Sequence, residues 1–451
     1  MRQQPPTIDS RDMLIRVLSC GCKPSSQWRI GTEHEKISFN RQSLRPIPYF
    51  GKRGIAALLL QIAENSQWQP ILEGENIIGL TLNRASITLE PGGQFELSGA
   101  PLETIFATCK EVHDHLALLD TITKELDIGF LGIGFQPKWG RKDIHWMPKE
   151  RYRIMRNYMP KVGSLGLDMM LRTATVQANL DFSDEADMAR KMRIACALQP
   201  LVTALFAASP FRDGRPSGFL STRAACWLDT DSDRTGIPRA IFDDNFSFAS
   251  YVEWALSVPM YFIHRDGEYI DCSGASFELF MEGRLPQLPN ERATIADWEL
   301  HLSTLFPEVR LKQFLEVRGA DSGDSSWICA LPALWKGLLY DPQAQERAWQ
   351  MVADWSWQEV NQLRHTTPRH ALATKFRDTT ALQLCQQMVT IANDGLRHLD
   401  TGGDSRSERL FLTPLFKALD AGLTQADIML QHYHGKWQQQ IDPLFTDCIH
   451  I

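Results

Sequence analysis

Residues 87–99 read ITLEPGGQFELSG, and carboxylates recur in this stretch with the period of a β-strand. Ile87, Leu89, Phe95 and Leu97 fall on one face; Thr88, Glu90, Gln94, Glu96 and Ser98 fall on the other. The alternation keeps its parity across the Pro91-Gly92-Gly93 break. A second stretch, RIGTEHEKISFN (29–40), puts Glu33 and Glu35 on the face of Ile37 and Phe39, with His34, Lys36 and Ser38 opposite. In TATVQANLDF (173–182), Thr173, Thr175, Gln177, Asn179 and Asp181 align; in RLKQFLEVRGAD (310–321), Glu316 and Arg318 do. Taken singly, an acidic strand face is ordinarily the wet side of a sheet. Four such strands between long apolar helices predict a curved sheet with a polar concave surface.

Electrostatics limits what that surface can be. Two carboxylates about 5 Å apart repel by roughly 3 kcal/mol at an effective dielectric near 20. Four or five in one cleft would cost on the order of a domain's whole net stability, about 5–15 kcal/mol. They must be protonated, spread apart or neutralised by cations. Hard oxygen ligands without a Cys/His set favour Mg²⁺, or Mn²⁺, over zinc. Magnesium over a carboxylate cleft suits ATP, whose phosphate oxygens complete the coordination. The chain has no Walker-type phosphate loop, and LGIGF is wrongly spaced for a dinucleotide fingerprint. Phosphate would then be held by metals and arginines, with Arg151, Arg153, Arg172, Arg223 and Arg318 as candidates.

The elements that must hold these groups are legible too. LETIFATCKEVHDHLALLDTITKEL predicts an amphipathic helix with Ile105, Cys109, Val112, Leu116 and Leu119 inward. Ser183 is the expected N-cap of the helix that follows TATVQANLDF, with acids in its first turn. Beyond about residue 340 the pattern is mainly helical and carries no evident chemistry. With no repeat, linker or low-complexity segment, the expectation is one catalytic domain over 1–451, with an N-terminal extension over 1–24. A net charge of −7 argues against nucleic acid, and no apolar run reaches the roughly 20 residues of a membrane span. Nine scattered cysteines are not a disulfide framework, and the N-terminus reads as that of a cytoplasmic protein.

Several long motifs, GTEHEK, LEPGGQFELSGAPLET, FLGIGFQPKW, MPKERY, FPEVRLK and CALPALW, closely resemble plant-type glutamate–cysteine ligases, which also occur in proteobacteria. The resemblance spans about residues 25 to 445. It implies an α+β fold of the glutamine-synthetase type, a curved and mostly antiparallel sheet forming a bowl with helices behind. It also implies ATP-dependent joining of the L-glutamate γ-carboxylate to the amine of L-cysteine through a γ-glutamyl phosphate, the first step of glutathione synthesis. On matching positions, Glu33, Glu35, Glu90, Glu96 and Glu316 would be magnesium ligands with Gln177 beside them. Arg151, Tyr152, Arg223, Trp227 and Tyr261 would line the amino-acid pocket, and Arg151, Arg223 and Arg318 would serve catalysis.

The resemblance further implies a redox-sensitive disulfide between Cys109 and Cys329, where composition alone expects two buried thiols. A second bridge of some plant enzymes would fail here, since Gln287 stands where the partner of Cys272 would fall. That departure, with no recognisable plastid leader, points to a cytosolic bacterial version, monomeric or a weak homodimer. Two rivals stay open: a carboxylate–amine ligase with another amine acceptor, and a metal-dependent hydrolase.

Overall fold

The computed structural model describes residues 6–400 and 407–448; expectations for residues 1–5, 401–406 and 449–451 lie outside it. Its centre is a nine-stranded sheet. The strands, numbered in chain order, are β1 Ile30–Asn40, β2 Gln69–Glu73, β3 Asn76–Leu82, β4 Ala85–Leu89, β5 Phe95–Ser98, β6 Ile128–Leu131, β7 Thr175–Leu180, β8 Val309–Leu311 and β9 Leu315–Asp321. Their order is β8-β9-β7-β1-β5-β4-β3-β2, with β6 on the far half of β1. Every pairing is antiparallel, so with its helices the molecule is α+β, as expected.

Strand β1 is the hub. Its first half pairs with β7, its middle with β5 and its end with β6, so one long strand carries polar groups from four segments into one plane. The apolar faces of the sheet meet helices. Ile87, Leu89, Phe95 and Leu97 pack against the helices Ile55–Glu64 and Ile105–Leu126. Val176, Ala178, Leu315 and Val317 share a second, larger core with the helices Glu185–Leu205, Ser325–Leu339 and Ala381–Leu399.

The helix Ile105–Leu126 forms as its periodicity predicts: Ile105, Cys109, Val112, Leu116 and Leu119 are all buried. Thr104 caps it by accepting from the Ala107 amide, and Asp127 ends it at φ +61°. The next cap differs from expectation by one residue. Asp184, not Ser183, accepts from the Asp187 amide at the start of Glu185–Leu205, while the Ser183 amide donates to the Asp187 carboxylate. A carboxylate serves better there because it answers both the free amides and the helix dipole.

Beyond residue 340 the helices Pro342–Val352, Trp357–His370, Ala381–Leu399, Thr413–Ala421 and Gln425–His434 follow, interrupted by the hairpin Lys375–Phe376/Thr379–Thr380. Met429, Tyr433, Trp437 and Phe445 close a third core over Ile37, Phe39 and Leu131. The apolar half of β1 is therefore buried under the chain's own tail. Cys109 and Cys329 are joined in a disulfide across 220 residues, with their Cα atoms 5.6 Å apart, which corrects the two-free-thiol reading. Among the described residues no helix is long and apolar enough to cross a membrane.

Candidate active site

The register of the sheet decides where the carboxylates go. Glu35 of β1 lies directly opposite Glu96 of β5, and Glu96 opposite Thr88 of β4. Glu33 lies between Gln177 of β7 and Ser98 of β5. Parity brings these side chains to one face, and that face floors a cavity of about 330 Å³. Glu33, Glu35, Glu90, Glu96 and Gln177 all line it. Glu35 and Glu96 are buried, and Glu33 and Glu90 half-buried, so this acidic face is not the wet side of a sheet.

The Pro91-Gly92-Gly93 break keeps the parity through two backbone demands. Gly93 sits at φ +81°, and a Cβ on Gly92 would stand 2.3 Å from the Leu171 carbonyl. Gln94 pins the turn: its Oε1 accepts from the Gly92 amide, and its Nε2 donates to the carbonyls of Met170 and Thr173. Glu90 and Glu96 thus emerge on the same side of the sheet.

Glu33, Glu35 and Glu96 are oriented by donors from their own or a neighbouring strand. Thr88 and Ser98 donate from either side to the two oxygens of Glu96. Asn179 Nδ2 donates to Glu33 Oε1 at 2.7 Å, and the Thr175 amide to Glu35 Oε2 at 3.0 Å. Strand parity had placed Thr88, Ser98, Thr175 and Asn179 on this face; that they hold carboxylates needed the register.

These neutral donors leave charge uncompensated. Burial, then Glu316 and Glu96, raises the Glu33 carboxyl to about 7. Burial, with Glu90 and Glu96 nearby, pushes Glu35 well above the ordinary range, and burial with Glu90 raises Glu96. On the opposite face of β1, burial lowers the Lys36 ammonium to about 7, against the pull of Glu96 and Glu35.

The walls are cationic and aromatic. The helix Glu150–Val162 supplies Arg151 and Tyr152, the helix Thr222–Trp227 supplies Arg223 and Trp227, and β9 supplies Arg318. The Tyr152 hydroxyl donates to the Leu89 carbonyl at 2.6 Å, and Lys149 Nζ donates to the same oxygen at 2.8 Å. Arg318 Nη1 donates to Gln177 Oε1 at 2.9 Å, and Arg223 Nη2 to the Arg318 carbonyl at 2.7 Å. The buried Nε atoms of Arg151 and Arg223 and Nε1 of Trp227 have no hydrogen-bond partner among the described residues.

Two expected members stand elsewhere. Glu316 does not line the cavity: Arg310 grips it with Nε at 2.7 Å and Nη2 at 3.0 Å, Lys312 at 2.9 Å and Arg318 at 2.6 Å. Burial alone would raise this carboxyl, but those three cations hold it well below the usual range. Glu316 is thus already neutralised by Arg310, Lys312 and Arg318. Tyr261 lies a layer behind, its hydroxyl donating to Asp231 at 2.9 Å and its ring 3.6 Å beneath the Arg234 guanidinium. Burial of that ion pair with a phenol as its lid keeps Tyr261 out of the cavity. Of the other arginines, Arg153 is exposed beside Glu150, and Arg172 is buried against Asp168 and Asp213.

Sequence reasoning missed Lys149, Arg310 and Phe306, which also line the cavity. Lys149 and Arg310 stand within MPKERY and FPEVRLK, whose length was the available signal.

Residues 29–447 match the family described as glutamate–cysteine ligase family 2. Over 454 aligned residues the chain is 52% identical to the chloroplastic glutamate–cysteine ligase of Medicago truncatula, covering 99% of this chain and 88% of that protein. The chloroplastic enzyme of Arabidopsis thaliana is also 52% identical (99% and 85% covered), and enzyme B of Oryza sativa subsp. japonica 50% (99% and 90%). These names overturn the cytoplasmic expectation, since the matched relatives are plastid proteins. Among solved structures, a glutamate–cysteine ligase from Francisella tularensis in complex with AMP superimposes with a TM-score of 0.56 at 12% identity, over 93% of this chain and 87% of that one. That likeness establishes the fold, the glutamine-synthetase-like α+β arrangement. With a family match over nearly its whole length and relatives at half identity, the chain is a ligase and belongs to glutamate–cysteine ligase family 2.

Proposed function

We propose that the protein joins the γ-carboxylate of L-glutamate to the amine of L-cysteine at the expense of ATP, the first step of glutathione synthesis. One observation carries this reading: a floor of uncompensated carboxylates faces Arg151, Arg223 and Arg318 across a single cavity. Such a cavity suits a reaction in which phosphate and carboxylate charge must be held together.

The floor fits magnesium, or manganese. Its donors are all oxygen, from Glu33, Glu35, Glu90, Glu96 and Gln177, and three of the carboxyls are held protonated-prone by burial and by each other. Among the described residues no three such side chains gather closely enough to enclose an ion alone, so phosphate oxygens and water would complete the coordination. When bound, the metal neutralises phosphate charge during transfer. Glu316 is left out of this ligand set.

The protein's own contribution is positioning and charge. The glutamate γ-carboxylate attacks the γ-phosphorus of ATP, giving an acyl phosphate and ADP; a free carboxylate is too poor an electrophile for an amine. The neutral cysteine amine then adds to the acyl carbon, loses a proton, and phosphate departs with the C–O bond electrons. Arg223 and Arg151, which line the cavity, bind substrate carboxylate, and Arg318 stabilises charge beside Gln177. The half-buried Trp227 and buried Tyr152 exclude water from the acyl phosphate. No protein nucleophile takes part.

The test is mass detection of γ-glutamylcysteine and ADP from glutamate, cysteine, ATP and Mg²⁺. Glycine or alanine outperforming cysteine, or ATP proving dispensable, would overturn the reading.

A further inference from the structure

Arg364 lies in the helix Trp357–His370, within the C-terminal region that carries no chemical motif. Its side chain is only 11% exposed. Nε donates to Glu308 Oε1 at 2.6 Å, and Nη2 donates to the Trp227 carbonyl at 3.1 Å. The Trp227 carbonyl belongs to a wall of the cavity, whereas Glu308 lines only an annexe beside it and reaches the site through its backbone bond to Arg318. Trp227 closes the six-residue helix that also bears Arg223. The Glu308 backbone carbonyl accepts from the Arg318 amide at 3.1 Å, and its own amide donates to the Gly236 carbonyl at 2.8 Å. One guanidinium therefore ties the Arg223/Trp227 helix to the strand that carries Arg318.

The three arginines also share space. Arg223, Arg318, Arg364 and Glu308 line an annexe of about 20 Å³, room for about one water, which continues from the cavity along Arg223, Trp227, Phe306 and Arg318. Arg364 touches only the annexe, whereas Arg223 and Arg318 face both. Arg223 Nη2 already reaches the Arg318 carbonyl at 2.7 Å. Arg364 with Glu308 fixes their spacing from outside.

We propose that Arg364 is a positioning residue for the amino-acid end of the site, setting the separation of Arg223 and Trp227 from Arg318 through its two-acceptor fork. A planar fork is required, because an ammonium cannot reach Glu308 and the Trp227 carbonyl in one fixed geometry. The inference deepens the ligase reading and rests on it.

The experiment compares the parent protein with R364K, which keeps a cation near Glu308. Displacement of a binding group by about 1 Å costs on the order of 10²-fold in rate. For R364K the expected result is a rise of about 10- to 100-fold in KM for an amino-acid substrate, with KM for ATP changed by less than about twofold. Equilibrium binding of L-glutamate, which needs no turnover, should weaken in parallel. Unchanged amino-acid KM and binding, or a fall in kcat alone as from a smaller folded fraction, overturns the inference while leaving the ligase reading intact. Should R364K not fold, the neutral pair Arg364→Gln/Glu308→Gln replaces it and must show the same split. A parent that neither makes the dipeptide nor binds either amino acid overturns both readings.

Discussion

Glu96 and Glu316 are both buried glutamates on sheet strands, yet their surroundings give them opposite roles. Glu96 has hydroxyl partners and acidic neighbours, while Glu316 has three cations. Removing the charge of Glu96 relieves repulsion, so Glu96→Gln should leave thermal stability unchanged or higher while lowering kcat by at least about 100-fold, read as magnesium-dependent ADP release. Near-normal turnover would remove Glu96 from the working set. Glu316→Gln strands Arg310, Lys312 and Arg318 without their counter-ion, a change that typically costs about 3–5 kcal/mol. Urea denaturation of both variants separates a working carboxylate from a structural one.

Among the elements, the helix Ile295–Leu302 carries a titration that can be followed. His301 is buried, with Nε2 against the Ala255 carbonyl at 2.8 Å; its buried Nδ1 has no hydrogen-bond partner among the described residues. Burial lowers its pKa to about 4, partly opposed by that hydrogen bond. The unfolded chain takes up this proton near 6.5, whereas the folded protein resists until about 4. Between those values the unfolded state binds more protons, so the contribution is present above pH 6.5 and lost as pH falls toward 4, by about 3 kcal/mol. His301→Gln should flatten this acid limb: the stability gap between parent and variant, measured by denaturation at several pH values, shifts toward the variant on acidification. A constant gap would show that His301 titrates alike in both states.

For the molecule as a whole, the Cys109–Cys329 bridge joins the helix behind β5 to the helix behind β7. Closing 220 residues removes much unfolded-chain entropy, roughly 5 kcal/mol in the chain-entropy account, with native-state terms reducing what is realised. Cys109→Ala/Cys329→Ala, or reduction, should lower stability by about 2–4 kcal/mol, read as an earlier denaturation midpoint. A midpoint unmoved by reductant would mean that the bridge does not constrain the unfolded chain.

Sequence alone determined which residues share strand faces, because the side-chain period of a strand is a local property. Glu33, Glu35, Glu90, Glu96, Gln177 and the Arg318 face needed no third dimension. Helical periodicity likewise marked the buried stripe of Ile105–Leu126, and the long motifs marked the family. Tertiary structure decided what lies opposite each group: register sets Glu35 against Glu96, and Arg310 against Glu316. It also moved Tyr261 behind the cavity and brought Arg364 to the Trp227 carbonyl from 137 residues away. Contacts between distant segments follow from how the chain closes on itself, and no local pattern encodes which cation will reach a given carboxylate first.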